Sequence, residues 1–415
     1  MKKKYLTAAL LCATLFQARA QSELDSSNIF QKKLVSKTDV ELVYSHYIQD
    51  GNNSAVTGGK GTEKLTVYSP SFKVGHTFKD YNTLRLVAGI DAITSASTDR
   101  IDNVMSSASR KDARSYGTLN YERKLRKRDL SVGIGSGMSI ESDYLSIPVI
   151  FSVEYTEPSR LRTYGLGFQA NFDDLRWGRI NEDYKRPVRL IYPAELRDTV
   201  WFSYYRRQSY NLKLSFTQVI NRRLVVGIFP EPAYQKGLLS TPFHRVYFRD
   251  TKVRVENLPG ERFKLPVGLR MNYFLGNRTV LKFNYGYYWD SFGILGNSVE
   301  LEAAIKASPK WTWSPGFRFY SQSASRYFRA YKQHLSSEVF YTSDYDLSAF
   351  QSYKTSLNLR YVPSKLILRN TFLTEANLRY SYFYRSNGLL AHIITFSIRF
   401  DSERYSFPKH LKSTK

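Results

Sequence analysis

The sequence predicts an all-β fold, a transmembrane antiparallel up-and-down β-barrel of about 16 strands with 14–18 open. Three observations predict it. Residues 279–291 place Leu281, Phe283, Tyr285, Tyr287 and Trp289 in one row and Val280, Lys282, Asn284, Gly286, Tyr288 and Asp290 in the other. A strand points successive side chains to opposite faces, so this segment is apolar on one face and largely polar on the other. The pattern recurs along most of the chain behind an export-type N-terminus. Aromatic residues make up 15% of the chain at a mean hydropathy of −0.41, with no long apolar run after the leader. That composition argues against a helical membrane protein and favours strands.

In chain order, the leader comes first. Lys2, Lys3 and Lys4 precede a mostly apolar run from Leu6 to Phe16, and Ala18-Arg19-Ala20 offers a cleavage site after Ala20. The run is shorter than the roughly 20 residues a spanning helix needs. The alternative, a lipoprotein signal ending at Cys12, meets a bulky Leu11 where a small residue is expected. The expected organisation is a signal peptide over 1–20, a periplasmic lead-in over 21–37, the barrel over 38–401 and a basic periplasmic tail over 402–415.

The rows then follow strand by strand. Val40, Leu42, Tyr44 and Ile48 alternate with Asp39, Glu41, Ser45 and Gln49. Leu84, Leu86, Ala88 and Ile90 form the next clear row, and Leu130, Val132, Ile134 and Met138 oppose Ser131, Gly133, Gly135 and Gly137. Leu212, Leu214 and Phe216 oppose Asn211, Lys213 and Ser215, and Leu265, Val267, Leu269 and Met271 oppose Lys264, Gly268 and Arg270. Val299 and Leu301 oppose Glu300 and Glu302, and Tyr380 and Tyr382 oppose Arg379 and Ser381. Ile394, Phe396, Ile398 and Phe400 end the last strand on an aromatic. Rows of about 10 residues suit a tilted membrane strand. A row break near Val67–Tyr68 predicts a bulge.

Connections alternate in length. Short turns are expected near 79–82, 126–128, 157–160, 221–222, 276–278, 308–310 and 363–365. Longer polar connections fall between them, notably 50–62, 97–113, 174–207, 235–260 and 323–349. Short turns on the periplasmic side and longer external loops are the barrel convention.

The formal charge of +25 falls to +21 when Lys2, Lys3, Lys4 and Arg19 leave with the leader. So basic a chain calls for anionic neighbours: outer-membrane lipid and lipopolysaccharide, and small anionic solutes, rather than nucleic acid. Barrel-insertion machinery is the expected partner during assembly. Cys12 is the only cysteine, so the mature chain holds no disulfide or thiolate metal site. No cofactor is expected.

The polar rows name the lumen candidates: Arg262, Lys264, Arg270, Lys282, Asp290, Glu300, Glu302, Arg318, Arg360, Arg379 and Arg399. Rings of basic side chains favour anions in a pore. A lumen packed shut by Arg–carboxylate pairs is the competing reading. Asp50, Asn52 and Asn53 in the first long loop, with Asp344 and Asp346 later, offer oxygens to a hard cation, but they are also ordinary loop residues. The 174–207 segment interleaves Arg176, Trp177, Arg179, Tyr204 and Arg206, which suits either a polyanion or a packed external loop. His46 and His392 lie on the first and last strands near one rim, with no nucleophile in their rows.

Three strings, 47–59 beginning Tyr47-Ile48-Gln49-Asp50, 91–97 beginning Asp91-Ala92-Ile93, and 340–348 beginning Phe340-Tyr341-Thr342, resemble the domain-of-unknown-function family 3570. The resemblance implies an exported outer-membrane barrel of Gram-negative bacteria and supplies no catalytic or ligand residues. The leading expectation is a channel or solute transporter with an anion-preferring lumen. A structural or adhesive barrel, closed inside and binding a partner or surface glycan through its loops, is the alternative, and a rim-located hydrolase the second alternative.

Overall fold

The computed structural model describes residues 34–95, 111–125, 128–141, 144–175, 206–241, 244–363, 365–368 and 370–406. The expected signal peptide, most of the lead-in, nearly all of the 174–207 loop and the tail beyond 406 lie outside them. Val35–Arg404 forms one compact unit. Its strands are β1 (Leu34–Asp50), β2 (Leu65–Phe78), β3 (Asn82–Ser95), β4 (Lys111–Leu125), β5 (Leu130–Ile140), β6 (Leu145–Thr156), β7 (Arg162–Asp174) and β8 (Arg206–Asn221). Then come β9 (Leu224–Pro230), β10 (Ala233–Gly237), β11 (Arg245–Tyr247), β12 (Val253–Val255), β13 (Glu261–Leu275), β14 (Thr279–Asp290), β15 (Leu295–Lys306) and β16 (Trp311–Gln322). β17 (Phe350–Tyr361), β18 (Lys365–Leu368), β19 (Thr371–Arg385) and β20 (Leu390–Ser406) complete the chain.

All but β11 and β12 belong to one antiparallel sheet. β9 and β10 share one stave, since both lie between β8 and β13. The interruption falls at Pro230-Glu231-Pro232, where two residues lack the N–H that a ladder needs. β17 and β18 likewise share a stave, broken at Pro363, and both pair with β19. The result is a closed antiparallel barrel of 16 staves. β20 pairs with β1 to close it, and Ser45 and Thr395 share a hydroxyl hydrogen bond of 3.1 Å across that seam. Closure leaves no free edge, the condition for a sheet to sit in hydrocarbon.

The apolar rows face outward. Ile134 is 61% exposed, Leu301 54% and Trp313 49%, a pattern that water would penalise and lipid rewards. Aromatics cluster at both ends of this belt. Tyr44, Tyr68, Trp289, Tyr353 and Tyr382 lie toward the long-loop end, and Tyr155, Tyr164, Tyr273 and Trp311 toward the short-turn end. Such girdles mark the two membrane–water interfaces.

Two local expectations are corrected. β2 keeps one register against both neighbours, with Tyr68 opposite Ala92 and Ser71 opposite Gly89, so there is no bulge. The row breaks because Leu65 and Val67, opposite in facing to the exposed Tyr68 and Phe72, are apolar too. The turn expected at 363–365 is instead the break between β17 and β18, and the chain reverses only before Thr371.

At the long-loop end, three connections fold together. The β11–β12 hairpin, the β16–β17 connection and the short 3₁₀ turn Ala55–Thr57 form a cap with its own core of Val246, Phe248 and Tyr341. Asn257 and Tyr341 exchange backbone hydrogen bonds of 3.1 and 2.7 Å. Gly59, at φ +84°, lies so close to the 323–349 connection that a Cβ would sit 2.7 Å from the Ser343 carbonyl oxygen. Left-handed backbone and close approach together require glycine there.

Candidate functional site: a charged lumen wall and a folded cap

Glu302 of β15 accepts hydrogen bonds from Lys282 Nζ at 2.8 Å and Arg379 Nη2 at 2.7 Å. Lys282 is on the adjacent strand β14, but Arg379 is on β19, with β16 and β17 between. A side-chain bridge that skips two staves cuts a chord through the interior, so these three residues face the inside of the barrel. Beside them is a cavity of ≈ 630 Å³ lined by Arg270, Lys282, Glu300, Glu302, Arg379 and Phe229 among others. Lys354 on β17 reaches Glu300 on β15 at 3.8 Å, another bridge past a stave.

The remaining lumen candidates divide by partner. Arg262 is bound to Asp290, which is fully buried and also accepts the backbone N–H groups of Phe292 and Ile294 at 2.9 and 3.0 Å. That pair holds the β14–β15 turn. Arg360 pairs with Glu375 at 2.6 Å, and Arg399 with Asp401 at 3.2 Å and Asp39 at 3.7 Å. Lys264, Arg270 and Arg318 have no carboxylate within 4.0 Å among the described residues. Arg270 lies over the Phe229 ring at 4.9 Å, and Arg318 over Tyr320 at 5.8 Å. On the opposite part of the wall Gly133, Gly135 and Gly137 on β5 and Gly165 and Gly167 on β7 stand among charged neighbours on the adjacent strands, and Glu122, Glu154, Lys213 and Glu231 line a second cavity of ≈ 350 Å³.

The loop candidates take separate partners. Asp50 is near Lys64 at 3.8 Å, Asn52 is exposed, and Asn53 donates through Nδ2 to the Asn387 carbonyl at 2.8 Å. Asp346 pairs with Arg385 of β19. Asp344 caps the 3₁₀ turn Tyr345–Leu347, accepting the Asp346 N–H at 2.9 Å. Its other oxygen lies 3.9 Å from Nδ1 of His244, which is 3.7 Å from Glu256 Oε1. Burial opposes protonation of His244, yet Glu256 and Asp344 outweigh it and raise the imidazole pKa to about 9. Burial pushes Asp344 up to about 6. Sequence reasoning missed His244 and Glu256. They stand 12 positions apart around the β11–β12 hairpin and meet Asp344 only because the cap folds.

His46 and His392 lie in the aromatic girdle. His46 packs edge-on against Tyr68 with centroids 4.7 Å apart, and His392 shares a 2.8 Å hydrogen bond with the Tyr380 hydroxyl. Their partners are phenols, not a serine with a base.

The family model described as "Protein of unknown function (DUF3570)" matches residues 100–365. The chain belongs to this family. No curated protein matches the chain. Among solved structures, Pseudomonas aeruginosa OccK1 (OpdK) aligns over 89% of this chain and 99% of its own, at 9% identity and a TM-score of 0.40. OpdK with vanillate aligns over 89% and 99%, at 9% identity and a TM-score of 0.39. A BenF-like porin from Pseudomonas fluorescens Pf-5 aligns over 88% and 98%, at 10% identity and 0.42. The 16-stave barrel of this family member stands on its own strand pairing, and a closed barrel with its apolar rows outward has the form of a membrane-spanning barrel.

Proposed function

We propose that the protein is an outer-membrane channel that admits small anionic solutes, with its short turns in the periplasm and its cap outward. One observation carries this reading: three cations, Arg270, Lys282 and Arg379, line the ≈ 630 Å³ cavity against two carboxylates, Glu300 and Glu302, and Arg270 has no carboxylate within 4.0 Å among the described residues. The wall carries a positive excess beside this cavity, and such a wall attracts anions. The test is single-channel recording in planar bilayers under a salt gradient. A reversal potential on the anion side supports the proposal, and an insulating or cation-selective barrel removes it.

The folded cap favours a second reading, a barrel that binds a partner or surface glycan through its external loops. Deleting residues 328–341 and measuring partner capture beside solute permeability separates the two. Loss of capture with unchanged permeability would favour the second. The contacts of His46 and His392 lend a hydrolase no support.

A further inference from the structure

We infer that the cap contains a divalent metal site made by His244 Nδ1, Glu256 Oε1 and Asp344 Oδ2. These three atoms lie within 4.8 Å of one another. The distances from His244 Nδ1, 3.7 Å to Glu256 and 3.9 Å to Asp344, are too long for hydrogen bonds. They suit three donors around one ion. With metal–ligand bonds of about 2.1 Å, tetrahedral donors sit about 3.4 Å apart, so the two His244 distances need to close by a few tenths of an ångström and the two carboxylates, within 4.8 Å of each other, by at most about 1.4 Å.

Two further features point to an ion. His244 Nδ1 is buried and has no hydrogen-bond partner, an expensive state for a ring nitrogen aimed at two carboxylates. Each carboxylate is also already oriented. The Thr241 N–H donates to Glu256 Oε2 at 2.6 Å, and the Thr342 hydroxyl donates to Glu256 Oε1. Asp344 Oδ1 takes the Asp346 N–H, which leaves Oδ2 for the cluster. Outer partners of this kind fix ligand direction in metal sites. One imidazole with two carboxylates selects a borderline ion such as Zn²⁺ or Mn²⁺ over Ca²⁺, which prefers oxygen alone. His244 and Glu256 flank the β11–β12 hairpin and Asp344 belongs to the β16–β17 connection, so the ion would clip two loops of the cap together.

The competing arrangement is an imidazolium held between two carboxylates, with no metal. Full-length mature protein folded in detergent and stripped with chelator distinguishes them. ZnCl₂ titration followed by calorimetry and elemental analysis should give one Zn²⁺ per chain. His244→Ala and Asp344→Asn should weaken binding at least 100-fold, while His46→Ala and His392→Ala leave it unchanged. Heat-dependent gel mobility confirms that each variant has a folded barrel. Wild-type protein supplies an independent reading: Zn²⁺ should slow carbethoxylation of His244, mapped by mass spectrometry, at least 10-fold. Absence of stoichiometric binding, binding that survives in both ligand variants, or unprotected His244 would overturn the inference.

Discussion

Replacing Glu302 with glutamine tests the electrostatics of the lumen directly. Glu302 neutralises part of two cations at once, through Lys282 and Arg379, and its own side chain is only 12% exposed. Glutamine keeps the shape and one acceptor but removes the negative charge. An anion passing about 6 Å away in a water-like medium is relieved of roughly 0.7 kcal/mol of repulsion. At 0.1 M salt a Debye length of about 10 Å trims this to about 0.4 kcal/mol. That corresponds to about a twofold gain for anions and a twofold loss for cations, hence about a fourfold rise in the permeability ratio. At 1 M salt the Debye length is about 3 Å and the effect falls to about 0.1 kcal/mol, within error of wild type. Reversal potentials at the two salt concentrations make the measurement. An unchanged ratio at 0.1 M, or a rise that persists undiminished at 1 M, refutes the reasoning, because neither fits a screened charge beside the conduction path.

Four other outcomes are expected. Arg270→Ala should lower the anion-to-cation permeability ratio at 0.1 M salt about fourfold by the same screened-charge argument, again read from reversal potentials. Leu301→Arg, at a site 54% exposed in the middle of β15, should cost about 2–4 kcal/mol of folding free energy in lipid vesicles, whereas Leu301→Phe should be near neutral. Gly137→Ala should reduce the yield of folded barrel on a heat-modifiability gel, since its Cβ would meet the Gly117 carbonyl oxygen at 2.3 Å and backbone must shift. Phe248→Ala should destabilise the cap by about 3–5 kcal/mol and speed protease cleavage within 323–349, while the gel mobility of the barrel stays unchanged.

The strand rows were legible because the barrel wall has a period of two, and lipid on one face keeps that period clean. Leu301 against Glu302, or Tyr380 against Arg379, is readable from neighbours alone. The exceptions have local causes. Leu65 and Val67 are apolar on the row opposite the exposed Tyr68, which the alternation reads as a bulge. Pro363 punctuates a stave where it was expected to end one. Partnership across the interior was not legible. Glu302 and Arg379 are 77 positions apart, and their contact follows from barrel curvature and side-chain reach. The His244, Glu256 and Asp344 cluster was hidden for the same reason, since its members join only through loop packing.

The cap also carries a record of how far assembly has gone. Asn53, from the first hairpin, donates to Asn387, which the chain supplies 334 residues later, and Arg245 reaches back 189 residues to the Val56 carbonyl. The first of these contacts spans the seam where β20 meets β1, so it waits for the barrel to close; the second needs no part of the last strand. Phe248, His334 and Tyr341 pack on one another and all come from the two connections between β10 and β17, so the core of the cap needs neither end of the chain, and only its tie to the far rim waits for insertion to finish.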